Sequence, residues 1–237
     1  MTNNDEHREP PVASAVADSA PAPSPLASSP LADTPQAVAV LSSSTVFTGR
    51  VWDVRRETFE YNGAVIARDF VDHTGAVAVL AIDEAERVLL IKQYRHPVRT
   101  REWEIPAGLL DVRGESPLLA AQRELAEEAD LEASEWSVLS EFYTSPGGSD
   151  EAIRIYLARG LSATAEPFPR SDEEADIELR WVSLDEAVDA VMARELQNPS
   201  LVVGVLAATV ARSRGWQGLE AGDVIWPRHP KSEAFGA

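Results

Sequence analysis

Three carboxylates, Glu124, Glu127 and Glu128, stand at i, i+3 and i+4 within the run Arg-Glu-Leu-Ala-Glu-Glu. On an α-helix these spacings share one face. Like charges so close repel one another, and divalent cations relieve the repulsion. Oxygen-only ligands suit hard ions such as Mg²⁺, with Mn²⁺ as a substitute. A face of this kind holds a phosphate-bearing substrate and activates water against it. Upstream, Gly108 to Glu115, GLLDVRGE, reads as a glycine loop leading into the helix. A solvated acidic face would account for the run from Arg123 to Glu128 by itself, with Arg123 and Glu127 as a simple i,i+4 pair. It does not account for the glycine loop, for Pro106-Ala107 before it, or for Glu115 placed eight residues ahead of Arg123.

The elements that position this face are legible around it. Ser116 is placed to N-cap the helix, with Pro117 at its first position. Asp130 falls where the helix must end, in the left-handed geometry that favours glycine; Asp adopts it at a cost of roughly 1 kcal/mol. Before the loop, VFTGRVWDVRRETFEY and AVIARDFVDH flank Asn62-Gly63, a strong hairpin signal that predicts a hairpin over about 45–72. Further strands are predicted at 75–82, 88–95 and 102–108. After the helix, 136–143, 153–161 and 178–184 alternate or run apolar like strands. Ser183 opens a capping box with Glu186 for a helix through about Arg194. Asn198-Pro199 starts a last helix that ends near Gly215. Strands interleaved in this way predict an α/β fold, a sandwich of helices around a mixed sheet.

Composition sets the outer bounds. The chain has 237 residues, 44% of them hydrophobic, enough for one domain with a real core. Cysteine is absent, which removes disulfides, thiolate metal sites and a cysteine nucleophile. A net charge of −18 disfavours a general nucleic-acid binder, because phosphate contacts need Lys and Arg. No apolar run approaches the ~20 residues of a membrane span. The acidic, polar start MTNNDEHREP lacks the features of a signal peptide, so a cytoplasmic location is expected. Residues 1–42 are rich in Ala, Pro and Ser and are expected to be a disordered tail. A β subdomain over 43–72, a main domain over 73–215 and a mixed tail over 216–237 complete the expected organisation.

From Gly108 to Leu131 the chain resembles the Nudix hydrolase superfamily, whose box reads G-x5-E-x7-R-E-U-x-E-E-x-G-U with U aliphatic. Gly108, Glu115, Arg123, Glu124, Leu125, Glu127, Glu128 and Leu131 fill it. One extra residue lies in the loop, and Asp130 replaces the second glycine. The resemblance implies the Nudix α/β/α sandwich, with an N-terminal antiparallel sheet. It implies that Glu115 and Arg123 tie loop to helix. It gives Glu124, Glu128, the Ala107 carbonyl and, as ligand or near-ligand, Glu127 to the metal.

Outside the box the chain is similar to the ADP-ribose pyrophosphatase branch, actinobacterial type. IKQYRHPV, REWEIPAGLLD, YTSPGGSDEAIRIYLA and SDEEADIEL carry that likeness. It implies a Mg²⁺-dependent hydrolysis of ADP-ribose to AMP and ribose 5-phosphate. It also implies a homodimer built by the N-terminal sheet, and a general base from the acidic loop, Glu174 or its rival Glu173. Arg95 is a candidate for the diphosphate, with a surface salt bridge as the alternative. Trp52 and Trp103 are candidates for stacking an adenine, with burial or an interface as the alternative. Glu151 is a candidate for orienting substrate, or a loop cap. Other nucleoside diphosphate compounds, such as ADP-sugars and dinucleotides, stay open as substrates. So does a non-catalytic nucleotide sensor.

Overall fold

Asn62 and Gly63 both take positive φ, 51° and 77°, as a two-residue hairpin turn requires. They join β2 (Asp53–Tyr61) to β3 (Ala64–Asp72), and β1 (Val40–Thr48) lies antiparallel on the far side of β2. The hairpin expected over 45–72 is thus part of a three-stranded sheet. Its first strand starts at Val40, inside the stretch expected to be tail. The computed structural model describes residues 31–170 and 176–235. Residues from Val38 onward form one compact unit; of the unit before it only 31–37 are described, all exposed. Glu173 and Glu174 lie outside the described residues.

The core follows from alternation along β4 (Ala76–Ala81), a strand buried on both faces. It sits in a five-stranded sheet with β7 (Ala107–Leu109), β8 (Leu131–Tyr143), β9 (Ala152–Ala163) and β11 (Glu220–Ala221). β4 runs parallel to β9 and antiparallel to β7, so the sheet is mixed. Val77, Val79 and Ala81 pack with Ala120, Ala121 and Leu125 of α1 (Pro117–Ala129). Ala78 and Leu80 pack the other way. There they meet Leu184 and Ala187 of α2 (Leu184–Met192) and Leu201, Val205 and Ala208 of α3 (Pro199–Ser213). Helices on both faces make the α/β/α sandwich. Each fully buried Leu or Ile side chain contributes about 1.5–3 kcal/mol. A second, antiparallel sheet orders β10 (Glu178–Ser183), β5 (Arg87–Arg95) and β6 (Thr100–Glu104).

The segment after α3, expected as a mixed tail, docks on this core. The buried Arg154 guanidinium donates to the carbonyls of Val224 and Ile225 at 2.8 and 3.2 Å, and lies 4.8 Å from the Trp226 ring. Lys231 bonds Asp72 and the carbonyl of His73. The end of β3 is also held by the β8–β9 connection, where Val71 donates to Gly148 O and His73 to Asp150. The N-terminal sheet is therefore fastened to the core at one end of β3. No helix among the described residues is long and apolar enough to cross a membrane.

Candidate active site

The acidic helix is α1, and its ends are built as the residue types predict. Ser116 accepts the Leu119 N–H, and Pro117 opens the first turn. Asp130 ends the helix at φ 54°, ψ 36°, with its N–H on Ala126 O. Glu124 and Glu128 lie on the buried side, 8% and 3% exposed. A carboxylate pair so placed needs compensating partners. Arg123 Nη1 donates to Glu124 Oε1 at 2.6 Å, and the Ala107 N–H donates to Glu128 Oε2 at 2.8 Å.

Both carboxylates converge on β7. A Cβ on Gly108 would lie 2.6 Å from Glu124 Cγ and closer still to its carboxylate, so only glycine leaves room there. The glycine loop then returns to the helix through Glu115. Arg123 Nε and Nη2 grip the two Glu115 oxygens, each at 3.0 Å, a planar fork-to-fork pair. The hydrogen bonds to Glu115, with Glu124 adding to them, outweigh burial and push the guanidinium up from its ordinary value. Glu127 is more exposed and meets Arg123 Nη1 at 3.1 Å. The structure thus brings together Glu115, Arg123, Glu124, Glu127, Glu128 and Ala107.

Divalent-ion chemistry can be judged on this donor set. Glu124, Glu128 and the peptide units of β7 offer hard oxygen donors, two of them nearly buried. Among the described residues no group of three or more His, Cys, Asp or Glu converges as a cage. Mg²⁺ does not need one, since it keeps several waters and is held by one or two carboxylates plus substrate phosphate. The residues fit that mode.

The remaining candidates fall into other groups. Arg95 on β5 forms a two-bonded pair with Glu104 on β6, at 2.8 and 2.7 Å. Trp103 lies under Lys92 Nζ at 5.1 Å and lines a cleft of about 530 Å³ with Leu90, Val182, Ala187 and Leu196. Trp52 sits exposed in the β1–β2 turn, its carbonyl taking the Gly49 N–H. Glu151 accepts from Thr144 at 2.6 Å and faces His73 Nε2 at 3.6 Å.

Glu104, which is 2% exposed, was not singled out from the sequence. Period 2 in Thr-Arg-Glu-Trp-Glu puts Glu102 and Glu104 on the strand face opposite Trp103, which would have drawn notice to them. Burial, with the Glu104 charge added, raises the Glu102 pKa. Arg170 and Arg101 were also missed. Arg170 holds Asp130 at 2.6 Å, and Arg101 holds Asp176 at 2.8 Å. Both pairs span too much chain for any local pattern to reveal.

The chain is similar to known proteins. The chain is 44% identical over 168 residues to an ADP-ribose pyrophosphatase of Mycobacterium tuberculosis, covering 70% of this chain and 81% of that one. It is 38% identical over 157 residues to an ADP-ribose pyrophosphatase of Bacillus subtilis, covering 66% and 84%. A crystal structure of an ADP compounds hydrolase superposes with a TM-score of 0.63 over 78% of this chain and 99% of that one. At 21% identity this is a likeness of fold. The family model of the NUDIX domain matches residues 72–201, from the end of β3 into α3. That span is more than half of the chain and contains the whole glycine loop, α1 and β7, so the protein belongs to the NUDIX family.

Proposed function

We propose that the protein hydrolyses the diphosphate of ADP-ribose to AMP and ribose 5-phosphate, with Mg²⁺ as its cation. The observation that carries this reading is the pair Glu124 and Glu128, nearly buried yet converging on Ala107 and Gly108. Similarity to two ADP-ribose pyrophosphatases supports the substrate. Glu124, Glu128 and the Ala107 carbonyl would hold the cation, with Glu127 at the rim. Bound there, a divalent ion neutralises diphosphate charge and lowers the pKa of water.

The chain's own residues do the rest. Arg123 fixes Glu115 and Glu124 in one arrangement, so the loop and the helix face keep their spacing. Glu174, with Glu173 as its rival, accepts the proton of the attacking water. Arg95 adds positive charge for the phosphates from the β5–β6 edge, ordered by Glu104. Trp52, exposed, is the better ring for an adenine; Trp103 packs against the α2 side. Glu151 orients the loop that carries it. Two copies pair through the N-terminal sheet.

The test is product analysis by chromatography. The protein is incubated with Mg²⁺ and ADP-ribose, beside ADP-glucose, NADH and GDP-mannose, with Glu128→Gln as control. AMP appears fastest from ADP-ribose, and kcat falls at least ~10²-fold in the variant. Faster turnover of another compound moves the specificity and keeps the metal face. A near-wild-type rate for Glu128→Gln overturns the assignment of that face.

A further inference from the structure

The C-terminal segment ends on backbone that pairs with the site. Gly75 precedes β4 at φ 85°, and a Cβ there would lie 2.2 Å from His229 Nε2, so the ring is seated directly on the glycine. His229 is itself 3% exposed, between the rings of Trp226 and Phe235. The Gly75 carbonyl accepts the Leu110 N–H at 3.1 Å. That bond continues the β4–β7 ladder, whose pairs are Ala78 with Ala107, Val77 with Gly108 and Ala76 with Leu109. The stretch His73–Gly75 therefore closes the ladder that backs Ala107 and Gly108, the two residues on which Glu128 and Glu124 converge.

Lys231 holds the same stretch by its charge. Its N–H donates to His229 Nδ1 at 3.0 Å, so ring and ammonium group are set together. Its Nζ donates to the His73 carbonyl at 2.6 Å and to the Asp72 carboxylate, and lies 3.6 Å from Asp150 Oδ2. Asp72 ends β3, where Arg55 of β2 also pairs with it. Asp150 belongs to the β8–β9 connection and accepts the His73 N–H at 2.7 Å. Glu151 follows it and faces His73 Nε2 at 3.6 Å. One ammonium group thus neutralises two carboxylates carried by different elements. Without it, Asp72 and Asp150 repel each other across His73.

We propose that Lys231 is a positioning residue: by holding Asp72, Asp150 and the His73 carbonyl together it fixes the His73–Gly75 stretch, and with it the end of β7 behind Ala107 and Gly108. The proposal rests on the reading that Glu124, Glu128 and the Ala107 carbonyl form the reacting site. A purely stabilising role fits Lys231 poorly. Its side chain is 37% exposed, and ion pairs so open to water add little to stability. Its partners instead converge on one three-residue stretch that the site's own strand is bonded to.

The test compares Lys231→Met, Lys231→Arg and the double variant Lys231→Met/Asp150→Asn in the full chain. Kinetics are read on whichever panel compound the wild type turns over fastest, so failure of ADP-ribose as substrate is not mistaken for failure of this role. Lys231→Met keeps its melting temperature within about 4 °C, as loss of a partly exposed ion pair predicts. Its kcat drops about 10-fold with KM changed less than about threefold, as a displaced reacting site predicts. Lys231→Arg restores the charge and most of kcat. The double variant also regains kcat, because the repulsion is gone while Asn still accepts the His73 N–H. Amide exchange, read without substrate or metal, speeds up at Leu110 and His73 in Lys231→Met. It stays unchanged at Leu184, whose amide bonds the Glu86 carbonyl elsewhere in the fold. Wild-type kcat in Lys231→Met overturns the proposal. So does failure of both Lys231→Arg and the double variant to recover kcat. Unchanged exchange at Leu110 overturns it as well, even if no compound is turned over. A fall in melting temperature that accounts for the lost activity assigns Lys231 to stability instead, and overturns it too.

Discussion

Gly108 and Glu124 compete for one volume, and the site depends on the glycine yielding it. A methyl group at position 108 would overlap the Glu124 carboxylate and crowd its Cγ at 2.6 Å. The Arg123 guanidinium, which donates to that carboxylate at 2.6 Å, would lose or follow it if it moved. Overpacking of this kind costs about 1–3 kcal/mol, which a domain of this size survives. Gly108→Ala therefore folds, but Glu124 is displaced from β7. The expected result is a kcat lowered about 10²-fold and an Mg²⁺ activation curve moved to higher concentration. A titration of activity against Mg²⁺ checks it; a curve superposable on the wild type would show that Glu124 tolerates displacement or holds no metal. The residue types were readable here because glycine and three glutamates at fixed spacing form a local pattern. That Arg95 is clasped by Glu104 was not readable, because the two meet across strands β5 and β6.

Elements whose signals are local came out of the sequence nearly whole. α1 has the cap at Ser116, the proline at its first position and the left-handed end at Asp130 that the sequence predicts. The Asn62-Gly63 turn is likewise local. β1 was read short, since its start, Val40-Leu-Ser-Ser-Ser, gains its pairing only from β2. The C-terminal segment was unreadable for the same reason: its order comes from Arg154, Asp72 and His73, far off in sequence. His229 shows how tightly that segment is seated. Its ring lies 4.7 Å from Trp226 and 4.9 Å from Phe235, and its Nε2 is buried against Gly75, with no hydrogen-bond partner among the described residues. Burial pushes its pKa down to about 4, with Lys231 and Arg154 adding to this and Asp150 opposing. An unfolded histidine titrates near 6.5. Between those values the unfolded chain binds a proton that the folded chain refuses. Stability from this group is therefore full above about pH 6.5 and falls as pH drops toward 4, by roughly 3 kcal/mol in all. Melting temperatures measured from pH 7 to pH 5 should decline more steeply in the wild type than in His229→Gln. Parallel slopes would show that His229 is not held neutral by its site.

At the scale of the molecule, charge and apolar surface pull in opposite directions. The chain carries −18, which keeps copies apart at low salt. The N-terminal sheet departs from that average: residues 40–72 hold four arginines against five carboxylates. It also leaves large apolar groups in water, among them Val40, Leu41, Val46, Phe47, Trp52 and Val65. β1 is exposed along all nine of its residues. A stable interface takes about 800 Å² from each partner, and a sheet face of this kind supplies area without concentrating like charge. On the proposed reading, pairing through this sheet would make the whole molecule a dimer and would bring Trp52 near a second chain. The association should strengthen as salt screens the remaining repulsion, unlike a contact built from ion pairs. Sedimentation at low and high salt tests this. The wild type should run as twice 25.7 kDa, more completely at high salt, and Phe47→Glu should run as 25.7 kDa with its fold intact. A wild type that stays at 25.7 kDa at high concentration and high salt would end the dimer reading, and with it any part for Trp52 across an interface.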